Sequence, residues 1–285
     1  MNSALLHNQR VVTAAEYSQE THGHRLFCID KSCKAPVIFV NGSETTIPHF
    51  KTTGKNDVSK HMDSCGFFKP LSFEESIKKV QEYQSDLLNQ GMKENIVKLN
   101  LNKLDPDYEG KQIERDEIEK KEKDPNEIKV KQESPTPNSI SSLKSIVKLL
   151  TSYEPDILAS ILVSVKSKKV PLSQIVINQE KAHDLLWADE VVDSMSYFVY
   201  GTVENVIRRE KVYYISFKPT NNVSFNLVVF DKYFKHFTYR DEQLIGKDIV
   251  AWGGLKKNIY KDKNTTEMVI KSNKYLEYLP KQKND

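Results

Sequence analysis

Cysteine and histidine residues near the start of the chain form the pattern with the most specific chemistry. All three cysteines and five of the seven histidines of the 285-residue chain lie within residues 1–70. Four residues separate Cys28 from Cys33, and three separate His61 from Cys65. A structural zinc ion takes four nitrogen or sulfur ligands at tetrahedral angles, and two short-spaced pairs can each hold it from one side. The spacing therefore predicts a zinc site made of Cys28, Cys33, His61 and Cys65, with His49 as the alternative for one place.

Other uses of these thiols agree less well with the spacing. Buried cysteines can pack without a metal as small apolar side chains. An odd number of cysteines in a chain of this length does not form a disulfide framework. A catalytic zinc ion would need an open ligand position and a neighbouring carboxylate, and Asp57 and Asp63 stand in no such motif. We therefore expect the zinc ion to be structural.

Cations, polar residues and tyrosines in the last third of the chain form a second pattern. The whole chain has a formal net charge of +3, whereas residues 197–285 contain 16 Lys and Arg against 10 Asp and Glu. Cations attract a phosphate backbone, and a base stacked on an aromatic ring contributes about 1–3 kcal/mol without sequence preference. The residues expected to contact nucleic acid are Arg208, Arg209, Lys211, Tyr214, Ser216, Lys218, Asn226, Lys256, Lys257, Tyr260, Lys261 and Lys263. Tyr214 and Tyr260 are the expected stacking residues.

The elements that must position these residues are five runs rich in Val, Ile, Phe and Tyr. They are YFVYGTVENVI, VYYISFKP, VSFNLVVF, KDIVAWGGL and EMVIKSNKYLEYL, all between Tyr197 and Leu279. Apolar residues alternate with polar ones in the second and third runs, as in strands with one buried face. The segment after the third run has room for a short helix before Gly246 turns the chain. Three strands, an insertion and two strands predict a five-stranded OB-fold β-barrel at residues 197–280.

This block resembles the OB-fold nucleic-acid-binding domains and is similar to the N-terminal domain of the exonuclease VII large subunit. The resemblance rests on Gly201 in the first strand, the Tyr214–Phe217 strand, Val229-Phe230 and the Ile245–Gly253 segment. It implies binding of single-stranded nucleic acid on the second and third strands, between the loops that join strands one to two and four to five. The alternative is that the charged loops are only solvated and that Tyr214 packs on a neighbouring domain.

The two metal-ligand pairs flank a predicted β-hairpin, in which PVIFV and TTIPHF are joined through Asn41-Gly42. This module resembles the N-terminal zinc-binding region of the competence protein CoiA-like family, which implies zinc binding. The matching residues are Cys28, Cys33, Pro36, Val37 and Ile47-Pro48-His49-Phe50. The chain departs from that family in the wider spacing of its cysteine pair, and in Thr52 or Thr53 where the family has a second histidine. The nuclease-like region of the family is not evident, so nuclease activity is not carried over.

One amphipathic helix is predicted after the module, at residues 71–92. Ser72 and Glu75 have the spacing of a capping box, and Gly91 is a natural C-terminal stop. The face of this helix is marked by Phe73, Ile77, Val80, Gln84, Leu87 and Leu88. We expect this stripe to pack on the zinc module, with a partner helix as the alternative.

Residues 93–138 are predicted to form a charged flexible linker. The segment is dense in both signs of charge, is nearly free of aromatic residues and ends in Ser-Pro-Thr-Pro. It cannot bury enough apolar surface to offset the entropy of ordering, although a transient helix over residues 113–123 is compatible with its pattern. The alternative is a solvated helix stabilised by Glu–Lys pairs, which would hold the two halves of the chain at a fixed distance.

Residues 139–196 are predicted to form a helical subdomain of about three helices. Ser141 or Ser142 would start the first helix, and Pro155 and Pro171 would occupy the first turns of the second and third. Their apolar faces are wide enough to make a small core or to pack on the barrel. A helix-turn-helix is a weak hypothesis here, because the third helix offers few cations for phosphates.

No motif of a catalytic site accompanies these elements. The sequence has no Gly-rich phosphate loop and no nucleophile elbow, and His183 and His236 stand in no catalytic context. The first residues lack the order of a signal peptide, and no apolar run approaches the ~20 residues of a membrane helix. The sequence therefore predicts a cytoplasmic, non-enzymatic α+β multidomain protein.

The predicted function is binding of single-stranded DNA by the OB-fold. The zinc module at residues 1–70 would contact a protein partner or a second segment of nucleic acid. DNA processing, competence, mobile-element and phage-defence settings all agree with this prediction. Two alternatives stay open: an adaptor subunit that uses the OB-fold to bind protein, and a metal-dependent CoiA-like nuclease.

Overall fold

The chain is an α+β protein with several sheets and few helices. A computed structural model describes residues 1–43, 46–87, 94–109, 139–165, 168–192, 195–260 and 262–280. Three sheets and seven α-helices are found among these residues, and only two of the helices exceed nine residues. Within the same residues, no helix combines the length and the apolar character that crossing a membrane requires.

The N-terminal module is an antiparallel sheet with one short helix. Its elements are β1 Ser3–Leu6, β2 Val11–Thr13, α1 Gln19–His22, β3 Leu26–Phe27, β4 Pro36–Val40 and β5 His49–Thr52. The strand order is β2-β1-β3-β4-β5. The predicted hairpin is confirmed as β4 and β5, but their pairing ends at Val40 and His49. The pairing therefore does not continue to the Asn41-Gly42 dipeptide, and Pro48 has no amide hydrogen to donate to the ladder.

The helix α2, Phe73–Leu87, follows the module. Its capping box is confirmed, because the Ser72 amide donates to the Glu75 carboxylate at 2.8 Å and the Glu75 amide donates to the Ser72 hydroxyl at 3.3 Å. The predicted stripe residues Ile77 and Val80 are buried. The side chain of Leu87, together with Leu88 and Gly91, lies outside the described residues.

A central α/β unit replaces the predicted helical subdomain. Its elements are β6 Asn95–Leu99, β7 Ser139–Ile140, α3 Leu143–Ser152, α4 Pro155–Ala159, β8 Ile161–Val165, β9 Lys168–Pro171, α5 Leu172–Ile175, β10 Val176–Asn178 and α6 Gln179–Trp187. The sheet order is β7-β6-β8-β9, with β6 parallel to both β7 and β8. Of the predicted helices, α3 is confirmed with Ser142 as its N-cap.

The prediction of helix throughout residues 139–196 was wrong because a short apolar run does not distinguish a buried strand from a helix. The run at 161–165 forms β8, in which Ile161 and Val163 are fully buried. Pro171 ends β9 instead of starting a long helix, and β10 separates α5 from α6. The helix-turn-helix hypothesis is therefore also wrong.

The linker prediction was wrong at its start. Residues 95–99 form β6, the strand between β7 and β8, and Val97 at its centre is fully buried. A 3₁₀ turn follows at Asn102–Leu104, and Leu104 is buried as well. Residues 110–138, which include the predicted transient helix, lie outside the described residues.

The helix α2 packs mainly on this central unit. Its principal contacts are with α4 and α3, and the ring of Phe73 lies 5.4 Å from that of Tyr200 in an edge-on arrangement. The side chains of Lys79 and Tyr83 reach the N-terminal module instead. The predicted packing of the apolar stripe on that module is therefore replaced by packing on helices of the same chain.

The C-terminal part is the third and largest sheet. Its elements are β11 Tyr197–Arg208, β12 Val212–Phe217, β13 Ser224–Phe230, α7 Asp241–Leu244, β14 Asp248–Gly253, β15 Leu255–Tyr260, β16 Lys263–Val269 and β17 Leu276–Tyr278. The predicted order of three strands, a short helix and further strands is confirmed, and Gly246 turns the chain with a φ of 72°. The fifth predicted run divides into β16 and β17, and most of the expected loop before it is strand.

The pairing of these strands forms an open ladder, so the predicted closed five-stranded barrel is not found among the described residues. The order is β15-β16-β13-β12-β11-β14-β17, with β10 added in parallel to β11. The β13 and β16 strands run parallel, whereas β11 pairs antiparallel with both β12 and β14. Among the described residues, no hydrogen-bonded pairing joins β14 or β17 to β16.

A close contact between β11 and β12 leads to the first prediction. A Cβ atom at Gly201 would lie 2.5 Å from the ring of Phe217, which is 1% exposed and stacked on Phe225. Because this ring has no free space to move into, Gly201→Ala should lower the free energy of unfolding by about 1–3 kcal/mol. Urea unfolding followed by tryptophan fluorescence measures the change.

The matched control is Gly254→Ala. A Cβ atom there would meet no heavy atom within 4 Å. The control should unfold at nearly the urea concentration of the wild type. Equal destabilisation by the two substitutions would contradict the close packing at Gly201.

Candidate metal centre and nucleic-acid interface

Four potential metal-ligand atoms of the N-terminal module converge on one point. The Sγ atoms of Cys28, Cys33 and Cys65 and a ring nitrogen of His61 all lie within 4.8 Å of one another. The Cys28 and Cys65 sulfurs are 3.7 Å apart, and His61 Nδ1 lies 3.5 Å from the Cys33 sulfur and 3.4 Å from the Cys65 sulfur. The structure thus brings together the four residues predicted as primary ligands.

These distances agree with tetrahedral coordination of one ion. Bonds of about 2.3 Å to sulfur and about 2.0–2.1 Å to nitrogen place neighbouring sulfurs about 3.8 Å apart, and a sulfur and a nitrogen about 3.5 Å apart. Cys28 and Cys65 are also almost completely buried, at 0% and 2% exposure. Four protein ligands would leave no open position, as in structural metal sites.

Two turns of the chain position the ligands. The first turn joins β3 to β4, where the Cys33 amide donates to the Asp30 carbonyl at 3.0 Å and the Cys28 amide donates to the Ala35 carbonyl at 2.8 Å. In the second turn the Cys65 amide donates to the Met62 carbonyl at 2.9 Å. The expected helical turn between His61 and Cys65 is a series of tight turns instead.

The thiols of Cys28 and Cys65 lie so close together that each shifts the pKa of the other. The hydrogen bond with Cys65, together with burial, raises the pKa of the Cys28 thiol. The same hydrogen bond, assisted by the contact with His61 and opposed by burial, lowers the pKa of the Cys65 thiol to about 5. Because the thiolate is the form that binds metal, this lowering of the pKa favours Cys65 as a metal ligand.

A buried carboxylate connects both turns to α2. Asp30 is 2% exposed, and its Oδ1 accepts hydrogen bonds from the amide and hydroxyl of Ser32. Its Oδ2 accepts from the Gly66 amide at 3.0 Å, from Tyr83 at 2.6 Å and from Lys79 at 3.2 Å. Burial alone would raise the pKa of Asp30, but these hydrogen bonds hold it well below its usual range.

His49, the alternative ligand, lies outside this group. It begins β5, and its Nδ1 lies 3.0 Å from the Ile47 carbonyl oxygen. Among the described residues, the group formed by the three cysteines and His61 is the one with metal-binding spacing.

Several predicted nucleic-acid contacts share one face of the C-terminal sheet. In register across the strands, Asn205 pairs with Ser216, Ser216 with Asn226, Asn226 with Glu267, and Glu267 with Lys256. Residues in register point to the same side of a sheet, so this row crosses five strands on one face. We call this surface the row face.

Tyr214 extends the row face by one position. It is paired with Ile207 and Val228, two residues along from Ser216, and is half-buried. The guanidinium of Arg209 lies 5.8 Å from its ring centroid. Four predicted contact residues, Tyr214, Ser216, Asn226 and Lys256, therefore lie on the same face, with Arg209 beside them.

Two of the residues predicted to contact nucleic acid, Arg208 and Lys257, form ion pairs with other residues of the chain. Arg208 donates to Asp241 at 2.7 Å and to the Tyr239 carbonyl at 2.6 Å, and lies over the ring of Tyr213. Lys257 follows Lys256 within β15 and so lies on the opposite side of the sheet. There it forms a 2.6 Å ion pair with Asp189 and lies 5.4 Å from the Trp187 ring of α6.

The remaining predicted contacts have other positions. Lys211 is exposed in the turn between β11 and β12, Lys218 is exposed after β12, and Lys263 begins β16. Lys261 and the side chain of Tyr260 lie outside the described residues.

Sequence analysis missed three residues of the row face. Asn205 belongs to the row, Ile207 is 40% exposed beside Tyr214, and Glu267 places a carboxylate between Asn226 and Lys256. Asn258 donates to that carboxylate at 2.6 Å. The alternation of polar and apolar residues in β11 and β16 is the signal that could have identified them.

Comparison with known proteins does not assign the chain to a family. No protein-family model and no curated protein sequence matches it. The S. pombe Stn1-ten1 complex is similar over 30% of this chain and 59% of that chain, with 13% identity and a TM-score of 0.22. Entamoeba histolytica asparaginyl-tRNA synthetase is similar over 34% of this chain and 23% of that one, with 12% identity and a TM-score of 0.21.

The same synthetase in complex with asparaginyl-adenylate gives 14% identity over 39% of this chain and 25% of that one, with a TM-score of 0.21. The chain thus spans less than two thirds of the length of these structures. Similarity at such scores carries no inference about the activity of this chain. The resemblances to CoiA-like proteins and to exonuclease VII stay predictions.

The environment of Asp30 leads to the second prediction. Asp30→Asn should lower the free energy of unfolding by about 1–3 kcal/mol, because the buried Tyr83 hydroxyl and Gly66 amide lose a charged acceptor, while Lys79 keeps its ion pair with Glu82. Thermal unfolding of the metal-loaded protein measures the effect. Asp63→Asn, an exposed carboxylate of the same module, is the control and should unfold like the wild type. A stability of Asp30→Asn equal to that of the control would refute the role assigned to this carboxylate.

Proposed function

We propose that the chain is a non-enzymatic nucleic-acid-binding protein that holds single-stranded DNA on the row face. The observation that carries the proposal is the alignment of Tyr214, Ser216, Asn226 and Lys256 on one face of β12, β13 and β15. A zinc ion in the N-terminal module stabilises the part of the molecule that contacts a protein partner or a second nucleic-acid segment.

The strand order supports an OB-type barrel. β14 and β15 are consecutive, and Gly254 alone separates them. Counted as one bent strand, they pair with β11 at one end and with β16 at the other. The strands β11, β12, β13, β16 and the bent strand then follow the order of the partly open five-stranded OB-fold, while the described residues leave the ladder open between β14 and β16. That fold binds oligonucleotides on its second and third strands, which here are β12 and β13.

The chemistry of the row face supports binding without base preference. The Tyr214 ring offers a stacking surface, and the Arg209 guanidinium beside it adds a cation for phosphate or for a base. Ser216 and Asn226 provide hydrogen-bonding groups that every base or sugar can use. The Lys256 ammonium at the far end of the row suits a phosphate, while Glu267 limits how closely the backbone approaches along this row.

Zinc is the ion that this ligand set favours. Three thiols and one imidazole are the donors of a common class of structural zinc site, whereas magnesium and calcium prefer oxygen. The ion would join the turn between β3 and β4 to the segment 61–65. These two turns share few contacts besides the ligands and Asp30, so the metal would stabilise the module directly.

A protein-docking function is the second candidate. Five large apolar residues of the N-terminal module are exposed: Ile38 at 45%, Ile47 at 56%, Val58 at 78%, Met62 at 53% and Phe68 at 51%. Exposed apolar surface of this kind suits a protein partner. An adaptor that uses only this module would bind its partner without needing the row face.

A nuclease is not proposed. Its metal ions would be bound by carboxylates next to the scissile phosphate. The group with metal-binding spacing in the described residues is built from thiols and an imidazole.

Lys256 and Lys257 lie on opposite faces of β15, so replacing each of them in turn tests whether the row face binds nucleic acid. Lys256→Ala should weaken binding of a labelled oligothymidine about threefold to tenfold and reduce the salt dependence by about one counterion, because one phosphate contact is lost. Lys257→Ala removes the same charge from the opposite face and should leave the affinity unchanged. Fluorescence anisotropy of the full chain in a salt series measures both. Equal losses for the two variants would exclude the row face as the binding surface.

Replacing His61 or His49 tests which histidine is a metal ligand. The purified chain should contain one zinc ion per molecule, and His61→Ala should lose it more readily to a chelator because one of four ligands is missing. His49→Ala should keep the zinc and the stability of the wild type. Elemental analysis and a colorimetric zinc-release assay provide the readouts. Zinc retained by His61→Ala and lost by His49→Ala would show that the ligand set is wrong.

A further inference from the structure

A large groove lies on the central unit, away from the row face. Its volume is about 1130 Å³, and it is bordered by α2, by β9 and α5, and by α6 with the start of β11. Small-molecule sites usually measure about 300–1,000 Å³. The groove is thus large enough for an organic ligand with several functional groups. Neither the metal-ligand group nor the row face includes a residue that lines this groove.

Three lysines from three different elements line this groove. Lys78 comes from α2, Lys168 from β9 and Lys181 from α6. None of the three forms an ion pair with another described residue, whereas their neighbour Lys169 is paired with Glu94 at 3.1 Å. Unpaired cations that converge from separate elements make a cavity attractive to an anion.

The first turn of α6 adds to the positive potential. Asn178 caps this helix by accepting from the Lys181 amide at 2.8 Å, and both residues line the groove. The N-terminal end of a helix carries a partial positive charge and exposes amide hydrogens. Glu180 in the same turn opposes this effect, although its carboxylate accepts from Asn221 at 3.0 Å, so the attraction for phosphate rests mainly on the three lysines. Glu190 is the carboxylate in the lining and lies beyond the other end of α6.

The wall of the groove contains a tyrosine whose hydroxyl has no protein partner in the described part of the chain. Tyr200 is 8% exposed and lines the groove, and its hydroxyl makes no hydrogen bond to another described residue. The neighbouring Tyr197, in contrast, has a hydroxyl that accepts from the Val192 amide. A hydroxyl that opens into the groove and makes no bond to the protein is free to bond a ligand there. Ile177 and Met195 give the same wall an apolar surface.

We propose that this groove binds a phosphate-bearing organic anion of nucleotide size. The phosphates contact Lys78, Lys168 and Lys181, and the organic part lies against the apolar wall near Tyr200. This site is separate from the row face, because it takes only Tyr197 and Tyr200 from the start of β11, whereas the row face begins at Asn205 in the second half of that strand. It therefore does not depend on binding of single-stranded DNA.

The test uses the full chain and N-methylanthraniloyl derivatives of ATP and GTP, with unlabelled ATP, GTP and tripolyphosphate as competitors. Fluorescence of the label reports binding. Replacing Lys78, Lys168 and Lys181 together by Ala should raise the Kd at least about tenfold, because three charge-assisted contacts are lost. Tyr200→Phe should raise it about threefold to tenfold, because the ligand loses one hydrogen bond. Tripolyphosphate should compete more weakly than a nucleotide.

The control replaces Lys103, Lys144 and Lys148 by Ala. These exposed lysines lie outside the groove, and the change in net charge is the same. The control should bind the nucleotide like the wild type, and so should Lys256→Ala. No binding of either nucleotide at millimolar concentration, or an equal loss in the control, would overturn the proposal. Failure of the row-face test with unchanged nucleotide binding would affect only the proposed function.

Discussion

The contact of the Phe217 ring with the backbone of β11 is the constraint on which the C-terminal sheet depends. β11 pairs with β14 along its first half and with β12 along its second half, so it must change partners midway. Gly201 lets the ring lie against the strand at that point, and the register shifts between Val203 and Asn205 just after it. A bulge of this kind bends a strand and increases its twist. The pairing of β12 with the second half of β11 then adds Asn205 to the row that β12 and β13 share.

A second constraint acts at the other end of the molecule. The Asp30 carboxylate accepts five hydrogen bonds from the two ligand-bearing turns and from α2. The same buried group therefore orients the metal ligands and attaches the module to the central unit. Asp156 makes a comparable connection, since its Oδ2 accepts from the amides of Asn2 and Ser3 on β1. The N-terminal module is thus joined to the rest of the chain by buried carboxylates as well as by apolar packing.

Local patterns in the sequence predicted the features that depend on neighbouring residues. The ligand group follows from the spacing of its residues, and the cap of α2 follows from Ser72 and Glu75. Features that depend on distant partners were missed. β6 is a central strand because β7 and β8 pair with it from beyond residue 138. Lys256 and Lys257 were both assigned to a loop, and only the pairing of β15 with β16 places them on opposite faces.

Cross-linking to a photoreactive oligonucleotide tests the central claim most directly. Thymidines in a single-stranded oligothymidine are replaced by 5-iododeoxyuridine, the complex with the full chain is irradiated, and mass spectrometry identifies the modified residue. A base stacked on the row face should form its cross-link at Tyr214. Cross-links confined to Tyr197 or Tyr200 in the groove, or spread over tyrosines outside the row face, would contradict the account.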